Sequence, residues 1–114
     1  MYDKDIIIQF KITGEHALRL GSADELDFRH KLETALDELL KWHQLGECDG
    51  GQIGSGSAEI FLYVDDVPAA LKYIINYLTD CELIGFCKIA SLKPEGKGYE
   101  VHYPKGATFS MWNV

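Results

Sequence analysis

GECDGGQIGSGSAEIFLYV, residues 46–64, decides how this chain folds. Glycine recurs through residues 46–57, and an apolar run, Ile60 to Val64, follows directly. Glycine weakens a strand and tolerates turns, so the first part predicts an irregular edge strand with its turn. The second part predicts a well-buried strand. The stretch carries no recognisable catalytic signature, so by itself it does not indicate what the protein does.

On the N-terminal side, residues 5–13 alternate in the way that predicts a strand, with Ile6, Ile8, Phe10 and Ile12 on one face. Ser22-Ala23-Asp24-Glu25 then has the form of a capping box and predicts the start of a helix. Apolar residues at spacings of three and four follow it: Phe28, Leu32, Ala35, Leu36, Leu39 and His43. We therefore expect an amphipathic helix that covers a sheet and ends at Gly46.

The C-terminal side repeats this plan. Residues 59–65 predict a strand, and the segment Asp65-Asp66-Val67-Pro68 supplies a capping acid and a proline suited to the first turn of a second helix. Its apolar stripe comprises Val67, Ala70, Leu71, Ile74, Ile75 and Leu78. Residues 84–92 and 99–103 predict two more strands joined by a turn at residues 94–98, and the short apolar segment 107–114 ends the chain.

This order predicts one α+β domain over residues 1–114, a ferredoxin-like sandwich. We expect an antiparallel sheet with two helices on one face and an additional C-terminal strand. The most apolar strands, which begin at Ile6 and Ile60, are expected in central positions. The glycine-rich strand is expected at an edge, where weak pairing is tolerated.

Composition narrows the classes of partner. The chain of 114 residues has a net charge of -7, which disfavours a nucleic-acid partner because phosphate binding needs clustered Lys and Arg. A basic protein partner fits better, although moderate acidity also serves solubility alone. The three cysteines lack disulfide or CxxC spacing, and the sequence shows neither a signal-peptide pattern nor a membrane-spanning stretch. We therefore predict a cytoplasmic location with no membrane partner.

The patterns for familiar chemistries are incomplete. The glycine-rich stretch lacks the Gly-Lys-Ser/Thr ending of a phosphate loop and runs from helix to strand, the reverse of that motif. His43, Cys48 and Asp49 have no second ligand pair with zinc spacing. No motif activates a nucleophile near His16, His30, His43 or His102. We predict no catalytic residue, no metal site and no cofactor, and hence a protein that is not an enzyme.

A helix-free sheet face and the chain's C-terminal end are further candidate surfaces. In the predicted register this face carries Phe61, Tyr63, Phe86 and His102 beside Ile7, Lys88 and Glu100. The basic pattern of RNA-binding sheets is missing, so a protein contact, a homodimer interface or cover by the chain's own tail are the readings left open. Phe109, Met111 and Trp112 are expected to pin the tail to the sheet or, less commonly, to anchor a partner.

GGQIGSGSAEIFLYVDD, the helix after it and the late GYEVHYP strand together resemble small bacterial ferredoxin-like proteins of poorly defined role. Some acidic proteins of comparable build are immunity proteins of contact-dependent inhibition or related toxin systems. The resemblance covers residues 46–104 and transfers no catalytic residue. It implies a protein-binding function in a bacterial cytoplasm.

The leading hypothesis is a non-enzymatic immunity protein that neutralises a basic toxin domain by blocking its active site. Acidic residues would speed association with such a partner and compete electrostatically for its site. Two groups of carboxylates, expected to be exposed, are the predicted contacts: Asp24, Asp27, Glu33, Asp37 and Glu38, or Asp49, Glu59, Asp65 and Asp66. The alternatives are a small ligand-binding or regulatory protein that uses residues 49–57, and a homodimeric structural module.

Overall fold

A computed structural model describes residues 4–12, 24–54, 57–93 and 98–106 of the chain. These residues form five strands, two α-helices and a short 3-10 turn. In chain order they are β1 (Lys4–Lys11), α1 (Asp24–Trp42), β2 (Gly46–Gly54), β3 (Ser57–Val64), α2 (Val67–Asp80), the 3-10 turn (Ile84–Phe86), β4 (Cys87–Leu92) and β5 (Tyr99–Tyr103).

The five strands make one open sheet in the order β2-β3-β1-β4-β5, and every neighbouring pair is antiparallel. The α+β class and the antiparallel sheet are therefore confirmed. β1 lies at the centre with β3 beside it, and the glycine-rich β2 forms an edge, as the sequence predicts. With β5 outside β4, the strand order differs from that of a simple ferredoxin fold.

The core lies between one face of this sheet and the two helices. Alternate residues of β1 and β3 point into it and are fully buried, among them Ile6, Ile8 and Phe10 on β1. Leu32, Leu36 and Leu40 of α1 and Ala70, Ile74 and Leu78 of α2 meet the same face. Each large aliphatic side chain withdrawn from water stabilises the fold by about 1.5–3 kcal/mol.

Both helices follow from their sequence signals. Phe28 of α1 packs edge-on against Phe10, with ring centroids 5.4 Å apart. α2 begins with the side chain of Asp66 accepting a hydrogen bond from the Ala69 amide at 3.1 Å, and Pro68 occupies the first turn. The predicted cap of α2 is confirmed. The predicted capping box of α1 at residues 22–25 extends outside the described residues, although α1 itself begins at Asp24.

β2 owes its glycines to close contacts on the core side. A Cβ at Gly46 would overlap the Tyr63 carbonyl oxygen and lie 2.8 Å from Cγ1 of Val64. A Cβ at Gly51 would overlap the Glu59 carbonyl oxygen and approach Oε2 of Glu33 to 3.0 Å. The missing side chains therefore let β3 and α1 approach this strand closely.

A β-bulge interrupts β2. Cys48 pairs with Leu62 and Gly51 with Ile60, so two residues of β2 stand opposite one residue of β3. Gly50 takes a φ of 98° in this bulge, a value that glycine adopts readily. The bulge explains why the sequence suggests an irregular strand here.

The C-terminal half departs from the prediction at one place. Residues 84–86 form the 3-10 turn, so the strand predicted from residue 84 begins at Cys87. The Phe86 amide bonds to the Leu83 carbonyl at 3.0 Å, which closes this turn and withdraws it from the sheet ladder. The expected placement of Phe109, Met111 and Trp112 lies outside the described residues.

The contacts at Gly46 predict an asymmetric response to two glycine substitutions. Gly46→Ala should lower the free energy of unfolding by roughly 1–3 kcal/mol, because the new methyl group forces β2 away from β3. Gly85→Ala should change it by less than about 0.5 kcal/mol, since no atom lies within 4 Å of the new Cβ. Urea denaturation of both variants measures the difference, and equal costs would contradict the packing argument.

Candidate functional site

Three of the six acidic residues of α1 form ion pairs with bases on the same helix. Three ion pairs link residues four apart: Arg29 with Glu33 at 3.0 Å, Asp27 with Lys31 at 3.0 Å, and Asp37 with Lys41 at 2.9 Å. Asp24 is the first residue of α1, and Glu38 is exposed without an ion pair among the described residues. The part of α1 that carries these ion pairs therefore has a surface of mixed charge.

Asp37 joins α1 to the bulge of β2. Its Oδ1 accepts a hydrogen bond from the Cys48 amide at 2.8 Å. Burial raises the pKa of Asp37, but the Cys48 amide and the Lys41 ammonium outweigh it and hold that pKa below its usual value. A groove of about 300 Å³ runs between the two elements, lined in part by Glu38 and Gly50. Asp37 is therefore a structural tie at the wall of this groove.

Glu59 was predicted to be an exposed acid, and that prediction is wrong. Its side chain is 0% exposed. Nε2 of Gln9 donates a hydrogen bond to one carboxylate oxygen at 2.7 Å, and Nε2 of Gln52 donates to the other. Both glutamines stand directly opposite Glu59 on the flanking strands, which compensates the burial of its polar atoms. Glu59 has no surface with which to contact a partner.

The helix-free face is the side of the sheet opposite α1 and α2. In the observed register Ile7, Phe61, Tyr63 and Lys88 share this face, as predicted. Ile7 is nevertheless only 6% exposed. The prediction that Phe86, His102 and Glu100 join them is wrong.

These three residues lie elsewhere for identifiable reasons. Phe86 belongs to the 3-10 turn and packs against the core. Glu100 pairs with Ser91, which is on the helix-covered side, and Nε2 of His102 lies 2.7 Å from Oγ of the same serine. The register shift between Ile89 and Ala90 is what changes the face that this part of β5 presents.

Carboxylates converge at one end of the sheet, which we call the acidic end and define as Asp5, Glu47, Asp49 and Asp65. Asp5 and Glu47 stand on either side of Tyr63 in one row across three strands. Asp49 accepts a hydrogen bond from the Tyr63 hydroxyl. The Asp65 amide bonds to the carbonyl oxygen of Leu45 at 3.2 Å, which places it beside the start of β2.

The negative charge of Asp49 acts on two neighbouring groups, Asp5 and Tyr63. Burial and the negative charge of Asp49 raise the pKa of Asp5. The hydrogen bond to Asp49 and the charges of Asp49 and Asp5 raise the pKa of Tyr63. The site thus disfavours further negative charge and favours a cation.

The acidic end contains two predicted residues and two that were missed. Asp49 and Asp65 belong to the second predicted group, while Asp66 is engaged as the cap of α2 and Glu59 is buried. The sequence alone does not associate Asp5 and Glu47 with this site, because they lie 42 residues apart and meet only through the strand pairing. A signal was present in the strand pattern: alternation puts Asp5 on the face of Ile7, away from the core.

The other cysteine and histidine side chains discussed above have ordinary structural surroundings. Among the described residues no three His, Cys, Asp or Glu side chains form a metal-ligand group. Burial raises the pKa of Cys87 to about 12 and also raises that of Cys48, which keeps both thiols protonated at neutral pH. Cys81 is exposed, and the His43 ring stacks on Tyr73 with centroids 3.8 Å apart.

Comparisons with known proteins return no relative. The chain matches no protein-family model, no curated protein and no solved structure. Within the described ranges, neither helix combines the length and apolar character that crossing a membrane requires. A proposal about function therefore rests on the sequence and the structure of this chain.

The Asp37 tie predicts a pH-dependent loss of stability. Asp37→Asn should lower the free energy of unfolding by roughly 1 kcal/mol at pH 7, because the charged acceptor and the ion pair are lost. The pKa of Asp37 is lowered in the fold, so its contribution is complete above the unfolded pKa and vanishes as pH falls through the folded value. Wild type and variant should converge in acid.

Glu38→Gln is the matched control for this experiment, since Glu38 is the exposed neighbour on the same helix. Its effect should stay within about 0.5 kcal/mol at every pH. Urea denaturation at several pH values measures both variants. A pH-independent deficit for Asp37→Asn would contradict the electrostatic argument.

The buried carboxylate yields a second comparison. Glu59→Ala should destabilise the fold by roughly 2–4 kcal/mol, because it leaves the amides of Gln9 and Gln52 facing a void. Glu47→Ala removes an exposed acid from the neighbouring strand and should cost less than about 0.5 kcal/mol. Thermal denaturation followed by circular dichroism ranks the two, and a Glu59 variant as stable as the Glu47 variant would disprove the structural role.

Proposed function

We propose that this protein is a non-enzymatic binding module, an immunity protein whose acidic end docks a basic toxin domain and blocks its active site. The observation that carries the proposal is the convergence of Asp5, Glu47 and Asp49 around Tyr63. Clustered like charges are costly to a fold, and an oppositely charged partner relieves that cost.

The arrangement of charge favours the acidic end over α1 as the docking surface. Asp27, Glu33 and Asp37 each form an ion pair with a base on α1, which weakens the field of these three carboxylates. The acidic end instead brings several carboxylates together around Tyr63. Such a surface attracts a basic partner and accelerates association at low salt.

We propose further that the fold is a ferredoxin-like sandwich with one additional strand. Support comes from the segment β2-β3-β1-β4, in which the first strand pairs with the third and fourth, and from both helices meeting the same core. In this proposal β5 is the extension beyond β4. The architecture is compatible with many functions, so it does not itself favour the immunity role.

Residues 46–104 resemble small bacterial ferredoxin-like proteins of poorly defined role, and some acidic proteins of comparable build are immunity proteins, which supports the same proposal. Inhibition would follow if the acidic end occupied the substrate path of a toxin that acts on nucleic acid, because that path must itself be basic. Phe61 and Tyr63 adjoin the carboxylates on the helix-free face, and aromatic side chains contribute strongly at protein interfaces. Charge would then accelerate association with the partner, and the aromatic side chains would stabilise the complex.

Co-expression with the product of the adjacent upstream gene tests this function. The two chains should form a one-to-one complex, growth should be restored in cells that make the neighbour, and affinity should fall as salt rises. Asp49→Lys should weaken the complex at least about tenfold by placing a repulsive charge at the contact. Asp80→Lys, at the exposed end of α2, is the control with the same change of charge.

Two outcomes would overturn the proposal. The first is a folded protein that forms no complex with the neighbour and gives no protection. The second is a complex weakened equally by both substitutions, which would remove the acidic end as the docking surface. A stable homodimer formed without any partner would instead favour a structural module.

A further inference from the structure

A pocket of about 230 Å³ opens on the helix-free face beside the acidic end. Three aromatic side chains, Phe61, Tyr63 and Tyr99, and two carboxylates, Asp5 and Asp49, contribute to its lining. These residues come from four different strands, β1, β2, β3 and β5. The antiparallel register therefore builds the pocket, and no single segment of the chain contains it.

The two carboxylates are arranged to receive positive charge. The Tyr63 hydroxyl donates to Asp49 and so restricts the orientation of that carboxylate. Asp5 is half-buried opposite Tyr63 and is repelled by Asp49. A cation bound near both carboxylates would offset this repulsion.

The walls favour an organic cation over a metal ion. Hard metal ions prefer a shell of oxygen ligands, whereas much of this lining is aromatic or aliphatic, including Ile7. Aromatic faces attract cations through their quadrupole, and aliphatic walls accept an alkyl chain. The volume is below the 300 Å³ or so at which sites for larger ligands begin, so the pocket suits one short arm.

We propose that this pocket binds an alkylammonium group, with the nitrogen near Asp5, Asp49 and the aromatic side chains and the alkyl arm against the aliphatic wall. The group is supplied either by a free amine or by a lysine side chain of a partner. The proposal stands on the pocket alone and does not require a toxin. If the lysine source applies, the pocket is the anchor point within the acidic end.

The experiment is a titration followed by amide chemical shifts of the labelled protein. n-Butylammonium is the probe for a free amine, n-butanol is its uncharged counterpart, and the peptide acetyl-Gly-Lys-Gly-amide carries the lysine side chain. Butylammonium should shift amides of β1 and β3 around Ile7 and Phe61, with a dissociation constant of about 1–10 mM, as expected for so small a ligand. Butanol should bind at least about fivefold more weakly, because it lacks the charge.

Substitutions in and outside the pocket test whether the ammonium group binds there. Asp49→Asn should weaken butylammonium at least about fivefold by removing one of the two facing charges. Phe61→Leu should weaken it about threefold by removing an aromatic face while keeping an apolar wall. Asp80→Asn, an isosteric change at the exposed end of α2, should leave the affinity unchanged. Each variant's amide spectrum without ligand shows whether it keeps the fold.

The outcomes distinguish a free amine from a lysine side chain as the source of the ammonium group. They also distinguish binding in this pocket from the proposed toxin complex. Peptide binding at least as tight as butylammonium assigns the pocket to lysine side chains, and butylammonium binding without peptide binding assigns it to free amines. Absence of shifts with both probes, equal binding of butanol, or equal weakening by Asp80→Asn would overturn the inference. Because no partner protein is used, failure of the toxin complex leaves this result intact.

Discussion

The burial of one face of β1 and β3 beneath both helices is the constraint on which the rest of the structure depends. Ile8 and Ile60 stand opposite each other at the middle of this contact and are fully buried. Since side chains alternate along a strand, a slip of one residue would turn every core residue of β1 toward the opposite face. The hydrophobic pattern therefore fixes the register as well as the fold.

Fixed register determines which polar groups meet on the other face. Glu59 lies between two glutamines only because β1 and β2 each place one opposite it. The same register sets Asp5 and Glu47 on either side of Tyr63. The arrangement of these polar groups is thus a consequence of core packing on the far side of the sheet, and the core residues that determine it do not touch them.

Local signals in the sequence account for most of the elements and for little of the site. The alternation of Ile6, Ile8 and Phe10 and the Asp66 cap predict β1 and the start of α2 correctly, because each depends on neighbours along the chain. Glu59 was misread as exposed, since its burial depends on partners 50 and 7 residues away in sequence.

The acidic end illustrates the same limit. Asp5 and Glu47 come close together only because β1 and β2 pair with opposite edges of β3. This strand pairing cannot be read from a single sequence. The 3-10 turn escaped prediction for a different reason. Its apolar residues Ile84 and Phe86 have the composition of a strand, and the backbone bond between Leu83 and Phe86 decides the outcome.

The bulge in β2 gives the protein a place where chain length can change. One surplus residue is already accommodated between Cys48 and Gly51 while pairing with β3 resumes on both sides. An insertion or deletion at this point alters the reach of Asp49 without disturbing the ladder that holds the core. The length of this edge strand can therefore change while the central strands of the sheet keep their pairing.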